Sequence, residues 1–344
     1  MPSPDAIDPP PATTAPTVSR RDVLLGVTAA ASALALGVDA PATAATTPAA
    51  PAAASRPATG PTTPTAPPSP HPFLTPPDDY YDVSRGSPKP HSLVGDALVR
   101  ARLTPDTWRC EVVADAFTDG VVKEAASLAK PLTLAGGTAL DLPALVALGD
   151  RRRVRFLKAM QCLNISSPLG QGVWEGVPLR DVLALAGPVR NVRRVYYWGF
   201  HNDDPKQVFR SSLSYTQVME TPPGDFPPFV AYRLNGEPIP LARGGPVRMI
   251  VPWAHGFKSI KWLQRVAVTN DFRANDTYAN ANNDPESYLK SAAYIDPSPE
   301  RVAAGSTAFM SGLAIAGYSG LSRVEHWLHR VEPGSPPVAY DDAT

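Results

Sequence analysis

Eighteen of the chain's 41 prolines lie ahead of Asp78, in a stretch otherwise made almost wholly of Ala, Thr and Ser. No other feature limits the fold as strongly. Such a composition cannot bury enough apolar surface to offset the entropy of ordering it. Residues 45–77 therefore read as a flexible, partly polyproline linker that carries no fold. The folded part must come from residue 78 onward. With 43% hydrophobic residues in a chain of 344, that part is long enough for one large domain and a second, smaller unit.

Ahead of the linker, Arg20 and Arg21 precede an apolar run from Val23 to Gly37. The run falls short of the roughly 20 residues that span a bilayer. It is followed by Ala42-Thr43-Ala44, a small-residue cleavage pattern. Residues 1–44 are expected to be a twin-arginine signal peptide, which places the mature protein in the periplasm or beyond. A short membrane anchor is the alternative. Export to an oxidising compartment would also permit Cys110 and Cys162, the two cysteines, to pair.

Lys and Arg together balance Asp and Glu at 32 each, so the formal net charge is zero and no nucleic-acid partner is expected. Neither a G-x-G-x-x-G nor a G-x-x-x-x-G-K-[ST] fingerprint occurs. The absence of C-x-x-C-H excludes an attached c-type haem.

Along the mature chain, alternating runs predict strands over "TWRCEVVADA", "KPLTLAG", "RRVRFLKAMQ", "VRRVYYWGF", "PVRMIVPWA" and "IKWLQRVAVTND". "ALDLPALVAL", opened by Asp141 with Pro143 in its first turn, predicts a helix, as do "PLRDVLALAG" and "SSLSYTQVMET". "FVAYRLNGEPIP" turns at Asn235-Gly236 and predicts a hairpin. Strands mixed irregularly with short helices indicate an α+β class. The composition changes again near residue 296. Residues 296–344 are strand-rich but far shorter than the about 100 residues of a β-sandwich, so an incomplete immunoglobulin-like sandwich is expected there.

Cys162 stands where a strand runs out into a Ser/Pro/Gly loop. A packing thiol, half of a disulfide and a metal-ligating thiolate all remain open on these residues alone.

Two segments, "LKAMQCLNISSPLGQGVWEGVPLRDVLALAG" and "FVAYRLNGEPIPLARGGPVRMIVPWAHGFKSIKWLQRVAVTND", resemble the sulfite oxidase family of molybdopterin enzymes. The first is similar to the family's strand, Cys, loop and W-x-G-V-P-L-x-D-V-L element. The second is similar to its A-Y-x-x-N-G-x-P-L-P, P-V-R and S-x-K-W-L series. The resemblance implies a sulfite-oxidase-type molybdopterin-binding domain of mixed sheets over residues 78–295, with molybdenum-molybdopterin as cofactor. It implies that Cys162 ligates the metal. Arg248, of the P-V-R element, is then placed for charge-assisted bonds to the cofactor phosphate or a substrate oxyanion. Ser259 and Lys261 match the S-x-K-W-L element, with Lys258 beside them. Asn164, His201, Arg210 and Ser212 fall where the family brings polar groups to the cofactor, and His255 precedes the Gly-Phe-Lys-Ser loop. Trp174, Trp253 and Trp262 are expected to pack the core with their indole N–H groups satisfied locally.

The match also departs from its family. Leu163-Asn164-Ile165-Ser166-Ser167 follows the cysteine where an arginine is expected, and Arg243 stands at a position that is often His. The first change removes a positive charge from the pocket and the second restores one. The resemblance implies two-electron oxo transfer on a small oxyanion or oxide. A separate electron-transfer partner, such as a cytochrome, would complete the cycle, and the C-terminal unit would support a homodimer. An S- or N-oxide reductase of the methionine sulfoxide type is the alternative on the same fold. A metal-free binding or scaffold module is the alternative of another class.

Overall fold

Alternation along Val154–Met160 builds the strand from which the site hangs. Phe156, Lys158 and Met160 are buried while Arg155, Leu157 and Ala159 are less so, the period of two that a pleated strand imposes. The structure, a computed structural model, describes residues 34–35, 72–115, 123–162, 165, 167–201, 208–274, 287–297, 299, 301–326 and 334. All of the signal but residues 34–35, nearly all of the linker, and Asn164 and Ser166 lie outside the described residues.

The chain enters through a segment with two single 3-10 turns (Pro77–Asp79 and Pro90–Ser92) and one short helix (Gly95–Arg100), and reaches β1 (Arg109–Ala114) and β2 (Leu140–Asp141). Helix α1 (Leu142–Arg152) follows as predicted. Asp141 caps it by accepting a 2.9 Å hydrogen bond from the Ala144 N–H, and Arg151 and Arg152 complement the dipole in its last turn. Then come β3 (Val154–Met160), β4 (Gly170–Pro178), α2 (Leu179–Ala184), β5 (Arg194–Gly199), β6 (Arg210–Ser214) and α3 (Tyr215–Met219). The predicted hairpin is present as β7 (Phe229–Leu234) and β8 (Glu237–Pro238). Asn235 and Gly236 supply the two positive φ angles, 53° and 90°, that a tight two-residue turn requires. Strands β9 (Arg248–Ile250) and β10 (Leu263–Thr269) complete the main body.

These strands form two five-stranded sheets. The first runs β8-β7-β4-β3, with β9 also paired to β7, and is antiparallel throughout. The second runs β2-β1-β10-β5-β6 and is mixed, since β10 lies parallel to β1 and antiparallel to β5. The architecture is the mixed-sheet, short-helix arrangement expected. Gly176 permits the closest approach in the first sheet, because a Cβ there would meet the Val230 carbonyl oxygen at 2.0 Å.

Each face of the first sheet is buried. On one side Val177 and Val230 join Val195 and Val266 of the second sheet and Leu145 of α1 in a single core. On the other, Phe156, Trp174, Phe229 and Ile250 pack with Tyr80 from the entering segment. Each such large side chain contributes about 1.5–3 kcal/mol on burial. Tyr80 therefore fastens residues 72–85 across the sheet, where backbone bonds from Thr75 to Gln171 and from Tyr81 to Leu169 hold them, at 2.8 and 2.9 Å.

Two local expectations are corrected. "KPLTLAG" is mostly turn, meeting β1 through a bridge at Leu132 and a bond from the Leu134 N–H to the Glu111 carboxylate. "SSLSYTQVMET" divides: Arg210–Ser214 is strand, and the capping box of Ser214 and Gln217 delays the helix to Tyr215. Cys110 and Cys162 are not joined in a disulfide, one of the readings left open for Cys162. Beyond the main body, β11 (Ala292–Ile295) and β12 (Gly312–Ile315) pair antiparallel. Between and around these strands the described residues of 296–326 are mostly without regular structure, and nearly all of 327–344 lies outside the described residues. No helix among the described residues is long and apolar enough to cross a membrane.

Candidate functional site

Strand β3 ends at Met160, and two residues later Cys162 reaches a cavity of about 390 Å³. The strand fixes where the thiol begins, and the loop leaves space in front of it. A 2.7 Å bond from the Gly256 N–H to the Gln161 carbonyl ties this strand end to the turn that carries Lys258 and Ser259. The cavity brings together Cys162, His201, Arg243, Arg248, Ser259 and Lys261. Arg210, Ser212 and Lys258 do not line it. The Arg210 guanidinium stacks over Tyr196 at 4.8 Å, and the Ser212 hydroxyl accepts a bond from Arg194 at 3.1 Å. Lys258 is fully buried and donates to the Ser212 carbonyl at 2.9 Å. His255 is buried, with its backbone N–H bonded to the Ser287 carbonyl.

The two arginines are held in fixed orientations. Arg248 lies 4.8 Å above the Trp174 ring, and its two terminal nitrogens donate to the carbonyls of Arg243 and Ser259. A terminal nitrogen of Arg243 donates to the Tyr80 carbonyl at 2.8 Å. In both guanidinium groups the buried Nε has no hydrogen-bond partner. Burial pulls the Arg248 pKa down to about 9, helped by the neighbouring Arg243, and the group remains charged at neutral pH. Burial, with Arg85 nearby, likewise lowers His201, so the imidazole favours its neutral form.

Lys261 is cationic in a different sense. Its ammonium donates to Ser84 Oγ at 2.7 Å and to the Ala242 carbonyl at 2.8 Å, and it pairs with Asp82 Oδ1 at 3.4 Å. Burial brings its pKa down to about 7, Arg248 adding to the fall and Asp82 opposing it. Asp82 sits well below the usual carboxylate range: burial pushes it up, but bonds from Ser84 and Lys89 together outweigh that.

Three residues that the sequence reading missed shape this site. Asp82 and Tyr80 line the cavity from the entering segment, far from either motif, and no local pattern marks them. Lys158 had a visible signal, a lysine at an inward position of an alternating strand. Its ammonium bonds the carbonyls of Val251 at 2.9 Å and Ala254 at 2.6 Å, which fastens β3 to the segment leading into the site turn. Burial, then Arg248, lowers its pKa to about 7. Trp253 and Trp262 flank that stretch, both at positive φ, 58° and 53°, a conformation costly for bulky side chains. Their indole N–H groups bond Asp225 and the Leu241 carbonyl. Trp174 departs from the expectation, since its buried indole nitrogen has no partner.

A molybdopterin offers dithiolene sulfurs, a phosphate and a polar pterin. A thiol at the cavity wall offers the soft ligand such a group takes, and two buried, unpartnered guanidinium N–H donors match its polar part, because each of those donors would otherwise be a desolvated group without a bond. The residues present fit the group.

Residues 139–277 match the family described as oxidoreductase molybdopterin binding domain. Nitrate reductase [NADPH] of Fusarium oxysporum is 33% identical over 103 residues, 30% of this chain and 11% of that protein. Mitochondrial sulfite oxidase of Homo sapiens is 27% identical over 205 residues, 56% of this chain and 35% of that one. Nitrate reductase [NAD(P)H] of Betula pendula is 29% identical over 220 residues, 62% and 22% of the two chains. The matches thus span about a third or less of these relatives' own lengths. The sulfane dehydrogenase SoxCD from Paracoccus pantotrophus superposes with a TM-score of 0.38 at 14% identity, over 67% of this chain and 72% of that one, a likeness too loose to bear on the fold. All the motif residues at the cavity fall within 139–277, whereas Tyr80 and Asp82 fall outside it.

Proposed function

We propose that the chain is a molybdopterin-binding oxidoreductase of the sulfite oxidase family, with molybdenum-molybdopterin as its cofactor, that performs two-electron oxo transfer on a small oxyanion or oxide. One observation carries the reading: Cys162, Arg243 and Arg248 converge on one cavity, and each arginine keeps a buried N–H without a partner.

Bound at this site, the cofactor supplies the redox couple and the exchangeable oxygen. Cys162 serves as the soft protein ligand, deprotonated on binding. Arg248 and Arg243 orient anionic or oxide oxygens with their free Nε–H groups, while their other nitrogens, bonded to carbonyls, hold the geometry fixed. Ser259, at the same wall, offers a hydroxyl to the cofactor, and Trp174 holds the plane of Arg248. Reduction of an S- or N-oxide is the second direction; the neutral Leu163–Ser167 loop, without the expected arginine, favours it. A separate electron-transfer protein, export by the twin-arginine route and a homodimer through the C-terminal unit complete the proposal.

Metal analysis of the mature protein from a host that makes and loads the cofactor tests it. About one molybdenum per chain is expected, with metal and activity lost in Cys162→Ser while the circular dichroism spectrum is retained. An active, molybdenum-loaded Ser variant would overturn the ligand assignment.

A further inference from the structure

The cavity is lined by five permanent or potential cations, Arg85, His201, Arg243, Arg248 and Lys261, and by one carboxylate, Asp82. That carboxylate comes from the entering segment, outside the region that matches the family. An ammonium has three N–H donors. In Lys261 all three have acceptors within the protein: Asp82, Ser84 Oγ and the Ala242 carbonyl. Its stem is confined as well, since a Cβ on Gly244, at φ 98°, would meet it at 2.7 Å. Ser84 completes the arrangement by donating its own hydroxyl proton to Asp82 Oδ1, and Lys89 bonds Oδ2 at 2.9 Å. The carboxylate is thereby kept ionised in the wall of a cavity that is otherwise positive.

We propose that Asp82 is a specificity-determining residue: it occupies Lys261 and lowers the cavity's positive potential by one charge, so that the site favours neutral or singly charged oxides over a dianion. This rests on the reading that the cavity receives an oxyanion or oxide, and it names which of those it receives. The charge available to a substrate is then that of the arginines, whose free Nε–H groups are directional donors, and not of Lys261. One negative charge near a bound anion acts in proportion to the anion's own charge. Its removal must therefore help a dianion more than a monoanion, which a merely structural role would not do.

The test measures sulfate and nitrate binding by calorimetry to the cofactor-loaded full chain at pH 6 and low ionic strength. Wild type, Asp82→Asn, Asp82→Glu and the Asp82→Asn/Lys261→Met double variant are compared, with molybdenum content determined in each. Asp82→Asn should bind sulfate about tenfold tighter and nitrate only about threefold tighter. Asp82→Glu, which keeps the charge, should stay near wild type. The double variant restores the pair's net charge of zero and should return to within about twofold of wild type for both anions. Equal gains for the two anions, or no gain, overturn the proposal. So does a double variant that binds sulfate much more weakly than wild type, because Lys261 would then be a direct ligand. Should Asp82→Asn not fold, the double variant, which leaves neither partner stranded, decides alone. A wild-type chain without molybdenum would strike the enzymatic reading instead; the anion affinities would still judge Asp82, since they depend on the cavity's side chains.

Discussion

Arg243 and Arg248 lie within twenty residues of Lys258 and Lys261, on the same wall, yet the two pairs place their protons differently. Each arginine bonds carbonyls through its terminal nitrogens and keeps one buried N–H without a partner. Lys261 donates to three acceptors, and Lys258 is turned away from the cavity altogether. The difference follows from shape. A planar guanidinium divides its donors between support on one side and recognition on the other, whereas an ammonium is a compact charge that a few carbonyls can satisfy. The positive residues of a motif therefore overstate the positive charge that a ligand meets.

The sharpest way to break this comparison is Arg248→Lys. The variant keeps a cation but cannot reach the carbonyls of both Arg243 and Ser259 while presenting a further donor. We expect kcat/KM to fall by about a hundredfold or more, with molybdenum content largely kept. A loss below threefold would mean that charge alone suffices and that the fork geometry is incidental.

Protonation of the lysines provides the next test. Lys158 titrates near 7 when folded and near the ordinary lysine value of about 10.4 when unfolded. Between those values the unfolded chain holds more protons, so stability from this group rises with pH from about 7 toward 10 and is lowest, and flat, below 7. Lys261 acts in the same sense. Above about 10 the trend reverses, because burial raises the Tyr80 phenol and only the unfolded tyrosine ionises. Urea midpoints at pH 7 and 9 should differ by an amount on the order of 1–3 kcal/mol in stability. The Lys158→Met variant should lose about half of that difference, the rest coming from Lys261. A wild type equally stable at both pH values would show that the buried lysine is solvated by more than its two carbonyls.

How far the sequence shows this site depends on the range of the interaction. The Asp141 cap, the Asn235-Gly236 hairpin and the strand ending at Cys162 are local, and their chemistry stands in a few consecutive residues. The meeting of Cys162 with Arg243 and Arg248 was accessible only through the resemblance, since separate strands converge there. Asp82 was not legible at all. Its partner Lys261 is 179 residues away, and the segment that carries it has no periodicity. Nor could spacing distinguish Lys258 from Lys261, two neighbours on one short turn whose ammonium groups take different directions.

Lys258 gives the smallest effect and the cleanest separation of a charge that supports from one that binds. Its buried ammonium donates to the Ser212 carbonyl of β6, joining the site turn to the second sheet. The Tyr197 hydroxyl bonds the Lys258 backbone carbonyl at 2.9 Å, so the turn keeps one anchor when the side chain is removed. Lys258→Met keeps most of the volume and removes the bond to the Ser212 carbonyl, which should cost about 1–2 kcal/mol of stability. Anion affinity and kcat/KM per folded molecule should change by less than about threefold, since the ammonium does not face the cavity. A tenfold loss of anion affinity at unchanged stability would return Lys258 to the binding wall and erase the contrast between the arginines and the lysines.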